Sequence, residues 1–161
     1  MSSAVKMLKQ KDYKEITVLD LVADSGVNRN TFYYHFRDMD ALIVELSKAV
    51  IEHVFSASRL DLREKLADIV NQMYKNRDGA LHVYNSADRA DFDKGLFEVC
   101  EYIAAKICSE SAEVKNKSEL EKDAWCSYVK CSCYGLVSYW LSNGLDEDGY
   151  IKLRAIIEKA N

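Results

Sequence analysis

The stretch Gly26–Phe36, GVNRNTFYYHF, gathers aromatic rings, a histidine, an arginine and two asparagines and contains no carboxylate, in a chain of formal net charge −4. These are side chains that stack and hydrogen-bond. Arginine and asparagine present donors in forks that suit base edges, while hydroxyls and imidazole can grip phosphates. On a helix from Arg29 to His35, at about 100° per residue, Phe32 and Phe36 share one side and Arg29, Asn30 and Tyr33 fall on the other. The first pair reads as packing and the second group as an open face.

An open face needs elements that hold it. Thr17 and Asp20 have capping-box spacing and begin a helix whose buried side is Val18, Leu21 and Val22. Gly26 suits the left-handed residue past its end, and Asn28 caps the next helix. Before them, Ala4 and Leu8 mark a short first helix, with Tyr13 and Ile16 in its exit turn. Two short helices joined by DSGVN have the spacing of a helix-turn-helix, with Ala23 expected to permit close approach and Val27 and Phe32 to fill the space between. Asp38 caps a fourth helix, about 39–55, carrying Leu42, Ile43, Leu46, Val50 and Val54.

Helical periodicity continues to the end. Asp61 and Glu64 open a helix, NRDG breaks it, and a short apolar piece follows at Leu81–Tyr84. Phe92, Leu96, Val99, Ile103 and Ile107 mark another helix, SAEVKNK reads as a loop, and Ser118 with Glu121 opens a helix that runs to Asn143 and Gly144. Asp146 begins the last one, with Tyr150, Leu153, Ile156 and Ile157. The chain reads as all-α: a head over residues 1–37 that continues into the fourth helix, and a helical body over 38–161. The head holds six basic and four acidic residues, the remainder sixteen and twenty-two, so the basic excess sits with the open face.

Other functions find little support. The apolar share of 48% and charged share of 30% fit a soluble globular protein. No apolar run approaches the ~20 residues of a membrane span, and the start lacks the apolar core of a signal peptide, which together predict a cytoplasmic protein with no membrane partner. Five cysteines, Cys100, Cys108, Cys126, Cys131 and Cys133, show no C-x-x-C pair and no zinc spacing, so they read as reduced thiols. Cys131 and Cys133 point apart on a helix, and Cys126 and Cys133 share a face about 10 Å from each other. His53, His82 and the scattered carboxylates make no metal or acid–base constellation. Neither an enzyme nor a cofactor is expected.

The run ITVLDLVADSGVNRNTFYYHFRDMDAL resembles the head of the TetR family of transcription regulators: Thr17, Val18, Leu21, Gly26, Val27, Thr31, Phe32, Tyr33, His35 and Phe36 match its pattern in register. GLVSYWLSNGLDED resembles the penultimate helix of a subgroup common in low-GC Gram-positive bacteria. The resemblance implies an N-terminal three-helix head with a C-terminal ligand-binding and dimerisation domain. The function it implies is that of a repressor that binds a near-palindromic double-stranded operator as a homodimer and is released by a small-molecule effector. Activation, a thiol-responsive switch, or a helical small-molecule-binding protein without DNA are the alternatives on the same fold.

For individual residues the resemblance implies base reading by Arg29, Asn30 and Tyr33 and phosphate contacts by Thr17, Thr31, Tyr34 and His35, with Lys14 and Arg37 adding attraction. Tyr74, Tyr84, Tyr102, Trp125 and Tyr128, with His82 and Cys131, are pocket candidates by type. Leu136, Tyr139, Trp140, Leu153, Ile156 and Ile157 are expected at the dimer interface. In one departure, the family's usual lysine at the start of the fourth helix is Met39, flanked by Asp38 and Asp40. Two carboxylates there compete with a phosphate for the helix-start amides and predict a shallow salt dependence.

Overall fold

In the computed structural model, which describes residues 2–57 and 59–159, capping side chains set most of the helix starts. After α1 (Ser2–Leu8) and a 3-10 turn at Tyr13–Glu15, a full capping box between Thr17 and Asp20 opens α2 (Val18–Ser25). Asn28 accepts from the Asn30 amide to open α3 (Arg29–His35), and Asp38 accepts from the Ala41 amide to open α4 (Met39–Phe55). A second box, Asp61 with Glu64, begins α5 (Leu62–Lys75). Helix α6 (Arg77–Ser86) and α7 (Arg89–Glu110) follow, then α8 (Ala112–Lys115), α9 (Glu119–Ser142) behind the Ser118–Glu121 box, and α10 (Glu147–Lys159).

Two expectations change. NRDG does end α5, where the Asn76 amide side chain donates to Gln72 O at 2.8 Å, but a helix resumes at once instead of a short apolar piece. Gly79 sits inside it where α1 packs on α6, and a Cβ there would meet Leu8 Cβ at 3.5 Å, an ordinary contact. SAEVKNK is not all loop either, since it forms α8 around the buried Val114. One apolar residue in a polar run leaves no period to read.

Helix α7 lies between α4 and α9. Lys48 with Glu98 and Tyr102 with Glu52 join α4 to α7 in parallel, whereas Lys130 with Glu101 and Phe97 with Tyr134 join α9 to α7 antiparallel. Helix α10 packs on α5, where Asn71 Oδ1 accepts from the Tyr150 hydroxyl at 2.8 Å and from Arg154 at 3.2 Å.

Two buried clusters result. The first joins Ala4, Leu8, Tyr13, Ile16, Leu21 and Phe32 of the head to Leu42 on α4 and Val83 on α6. The second is Trp140, Leu141, Leu145 and Leu153, and Phe92 packs against both. The end of the head at residue 37 is therefore not a break in packing, because residues of α4 and α6 complete its core.

The turn after α9 is a Schellman motif: the Leu145 amide donates to Trp140 O at 2.9 Å and the Gly144 amide to Leu141 O at 3.0 Å, with Gly144 at φ 73°. Leu145 takes φ 50°, a conformation unfavourable for leucine, and is completely buried. Its contact with Trp140 in the same cluster offsets that strain. Trp140, 1% exposed, and the buried Leu153 thus belong to the core of their own chain, which corrects their expected place at a dimer interface. The indole Nε1 donates to Asp146 O at 2.9 Å.

Acid should loosen the protein through its caps. The Thr17 hydroxyl and amide hold Asp20 below the ordinary aspartate value, Lys6 and Ser3 do the same for Asp24, and the Ala41 amide and Arg37 for Asp38. Lowered carboxylates contribute stability that is present above the unfolded value of 3.8 and lost as pH falls through the lower folded ones. Circular dichroism melts should be level from neutral pH down to about pH 5 and drop towards about pH 3. A flat profile would refute this account.

Candidate nucleic-acid interface

Helix α3 divides by face. Phe32 is buried, with its ring edge-on to Tyr33 at 5.3 Å and tilted against Phe36 at 5.4 Å, while Arg29, Asn30, Thr31, Tyr33 and His35 are exposed. Tyr34 is 85% exposed and meets His35 edge-on at 5.0 Å, so its ring does not pack on α1. The Arg29 guanidinium lies over the Tyr33 ring at 5.5 Å. That stack limits where the arginine fork can point before any ligand arrives.

Helix α2 braces this face from behind. Leu21 is buried against Phe32, the Ser25 hydroxyl donates to Leu21 O at 2.6 Å, and Gly26 takes the left-handed φ of 69°. The filling between the helices differs from expectation: Ala23 is exposed and Val27 is 45% exposed, so Leu21, Val22 and Phe32 set the helix separation. Val27 instead lines the mouth of a small crevice with Val22, Thr31 and His35.

Four carboxylates, two in α2 and two at the start of α4, are engaged within the protein. Asp20 accepts from the Thr17 hydroxyl at 2.7 Å and amide at 2.9 Å, and Asp24 from Lys6 at 2.8 Å. Asp38 accepts from the Ala41 amide at 2.8 Å and Arg37 Nε at 2.6 Å. Asp40 accepts from the Tyr13 hydroxyl, and burial together with Asp40 pushes that phenol above its usual range. Met39 packs against the head's core. The unusual start of α4 is therefore a junction between head and α4, with Asp38 already occupying an amide that a phosphate could have used. Two expected phosphate contacts also change in character: the Thr17 hydroxyl proton is committed to Asp20, and Arg37 is paired with Asp38. Arg29 and Lys14 take part in none of the ion pairs that Lys6 and Arg37 make.

The five pocket candidates do not converge. Tyr74 stacks on Tyr150 at 4.7 Å and on Trp140 at 6.2 Å, inside the second cluster. Tyr84 meets Phe92 edge-on at 5.3 Å under Arg89, and the Tyr102 hydroxyl donates to Glu52 at 2.5 Å beside Lys106. Trp125 and Tyr128 pair at 5.5 Å on α9. Tyr102 lines a groove with Glu45, Lys48, Ala49 and Glu52. Aromatic type predicted burial or contact; it did not predict a shared chamber.

Of the interface candidates, Leu136, Tyr139 and Ile156 are exposed and Ile157 is partly so. Tyr128 and Ile151 are exposed beside them in the series, although sequence reasoning assigned Tyr128 elsewhere and left Ile151 out. Tyr128 and Tyr139 are three turns apart on one face of α9. The five free cysteines lie on two neighbouring helices, Cys100 and Cys108 on α7 and Cys126, Cys131 and Cys133 on α9. Burial pushes Cys100 and Cys108 up to about 12 and Cys133 to about 11, which keeps them protonated and slow to oxidise. Among the described residues no group of three or more His, Cys, Asp or Glu could hold a metal ion, and no helix is long and apolar enough to cross a membrane.

Comparison with known proteins places this geometry in context. A family described as bacterial regulatory proteins, tetR family, matches residues 1–46, and one described as transcriptional regulator C-terminal region matches residues 61–151. HTH-type transcriptional regulator EthR of Mycolicibacterium smegmatis is 32% identical over 56 residues, which cover 35% of this chain and 26% of that protein. The match thus spans about a quarter of the curated relative's length. The solved structure of dihydroxyacetone kinase operon activator DhaS superposes with a TM-score of 0.63 over 97% of this chain and 90% of that one. At 14% identity this likeness speaks for the fold alone.

Proposed function

Because the chain belongs to the TetR family of bacterial regulatory proteins, we propose that it is a homodimeric repressor that reads a near-palindromic operator through α3. The observation that carries this is the divided face of α3, with Phe32 anchored in the core and Arg29, Asn30 and Tyr33 open on the other side. Arginine pairs bidentately with guanine and asparagine with adenine. Tyr33 supports Arg29 and reaches a base edge or the backbone, while Thr31, Tyr34 and His35 fix register on phosphates. Residues 1–37 act as the reading head, α4 belongs to both parts, and residues 38–161 regulate and dimerise. A small molecule bound to the body releases the operator by changing the spacing of the two heads, and Phe92, which touches both clusters, lies on the route.

Two heads can read one operator only if a second copy places them about one helical turn, ~34 Å, apart. In this reading α9 and α10 meet their counterparts through Tyr128, Leu136, Tyr139, Ile151 and Ile156, which are exposed apolar residues of those helices. Tyr139, 64% exposed, is the informative position because changing it should not disturb the chain's own core. Tyr139→Glu is expected to shift sedimentation from dimer to monomer and leave the circular dichroism spectrum unchanged. A variant that remains dimeric would remove this face from the proposal. The function itself is tested by gel retardation of the DNA upstream of the chain's own gene, with absence of a shifted, sequence-dependent complex as the contrary result.

A further inference from the structure

One histidine of the body is built into the head. His82, on α6, directs Nδ1 at two backbone oxygens that lie where α1 ends, Leu8 O at 2.9 Å and Lys11 O at 3.1 Å. The last carbonyls of a helix have no partner within it, and here a side chain 74 positions away in sequence supplies one. Because carbonyls only accept, the Nδ1 atom must carry the proton, which leaves Nε2 as the lone-pair nitrogen of the neutral ring. That Nε2 lies 4.0 Å from Asp12 Oδ1. Asp12 precedes the 3-10 turn but makes no capping hydrogen bond, so its carboxylate is not committed to capping. On the same face of α6, Gly79 lies against Leu8 and Val83 enters the head's core.

We propose that His82 is a positioning residue for operator binding, acting through the Leu8–Asp12 backbone to hold the head in the pose that presents α3. The proposal rests on the DNA-reading function above. Helix α1 is tied to α2 through Lys6 and Asp24, and α2 braces α3, so a loosened end of α1 loosens the reading face. An affinity that depends on a prearranged pose falls when that pose is less populated. The Nε2 side of the ring faces the Asp12 carboxylate at 4.0 Å, which keeps Nδ1 turned to the two carbonyls.

The test compares the full-length wild type with His82→Ala, His82→Gln and His82→Phe, by fluorescence anisotropy with the upstream DNA and by hydrogen exchange of amides 9–16. His82→Ala should bind about tenfold more weakly, as expected for losing one or two hydrogen bonds to backbone. Its amides 9–16 should exchange faster than those of the wild type. His82→Gln keeps a donor for the carbonyls, so it should bind and exchange close to the wild type. Wild-type affinity in His82→Ala, or a His82→Gln variant as weak as His82→Ala, would overturn the proposal. Should the alanine variant fail to fold, His82→Phe, which keeps a ring and lacks the donor, takes its place with the same expected losses. Should the wild type retard no DNA, the operator-reading function fails instead, and unchanged exchange of amides 9–16 in His82→Ala or His82→Phe overturns the role of His82 by itself.

Discussion

Replacing Arg29 and Tyr33 together by alanine is expected to weaken specific operator binding at least about thirtyfold, since each base contact contributes roughly 1–3 kcal/mol. Both side chains are exposed and neither belongs to the buried cluster, so the melting temperature should stay within about a degree or two of the wild type. The Arg29–Tyr33 stack adds a second expectation. Tyr33→Ala alone should also impair reading by Arg29, because it frees the guanidinium that the ring positions at 5.5 Å. The two single losses should then sum to more than the double loss, as for any pair in contact. Non-specific binding should fall much less, because it rests on charge and only one charge is removed. Arg37→Ala is the useful contrast: its guanidinium is already paired with Asp38 at 2.6 Å, and a small effect is expected. Operator affinity that survived the double change would remove α3's open face from the reading role.

Gly149→Ala should be the most damaging methyl group that can be added to this chain. A Cβ at that position would lie 2.2 Å from Trp140 Cδ1 and 2.7 Å from Nε1, inside any contact distance. The indole cannot step aside, because it is almost fully buried, donates to Asp146 O and faces the Tyr74 ring. Overpacking of a closed site commonly costs about 1–3 kcal/mol and occasionally more, and the immobility of this neighbour argues for about 3 kcal/mol or above. For a chain of this size that is roughly a 10 °C fall in melting temperature. Gly144→Ala meets no atom within 4 Å, and its penalty comes only from φ 73°, so about 1 kcal/mol is expected there. Scanning calorimetry of the two variants should rank them in that order; equal melting temperatures would show that the Trp140 site can relax.

What the sequence determined by itself is everything whose cause lies within a few residues. A capping box joins a hydroxyl or carboxylate to an amide three positions on, so Thr17–Asp20, Asp61–Glu64 and Ser118–Glu121 could be read directly and all three form. The two faces of α3 follow from helical period alone. Gly26 and Gly144, too, were legible as helix ends, because the left-handed residue is a local requirement. Gly149 carried no such mark, since what makes it necessary is a ring that folding brings against it.

Only the tertiary structure decided which surfaces meet. Residue type said that Trp140, Tyr74 and Leu153 would be covered, but not by what, and within the chain they pack in one cluster on one another's helices. Val83 completing the head's core and His82 capping α1 both join residues that are far apart in sequence. Periodicity gives the direction in which a side chain leaves its own helix. It carries no information about which other helix stands there, because that is set by the summed packing of the ten helices among the described residues, to which each residue contributes only a part.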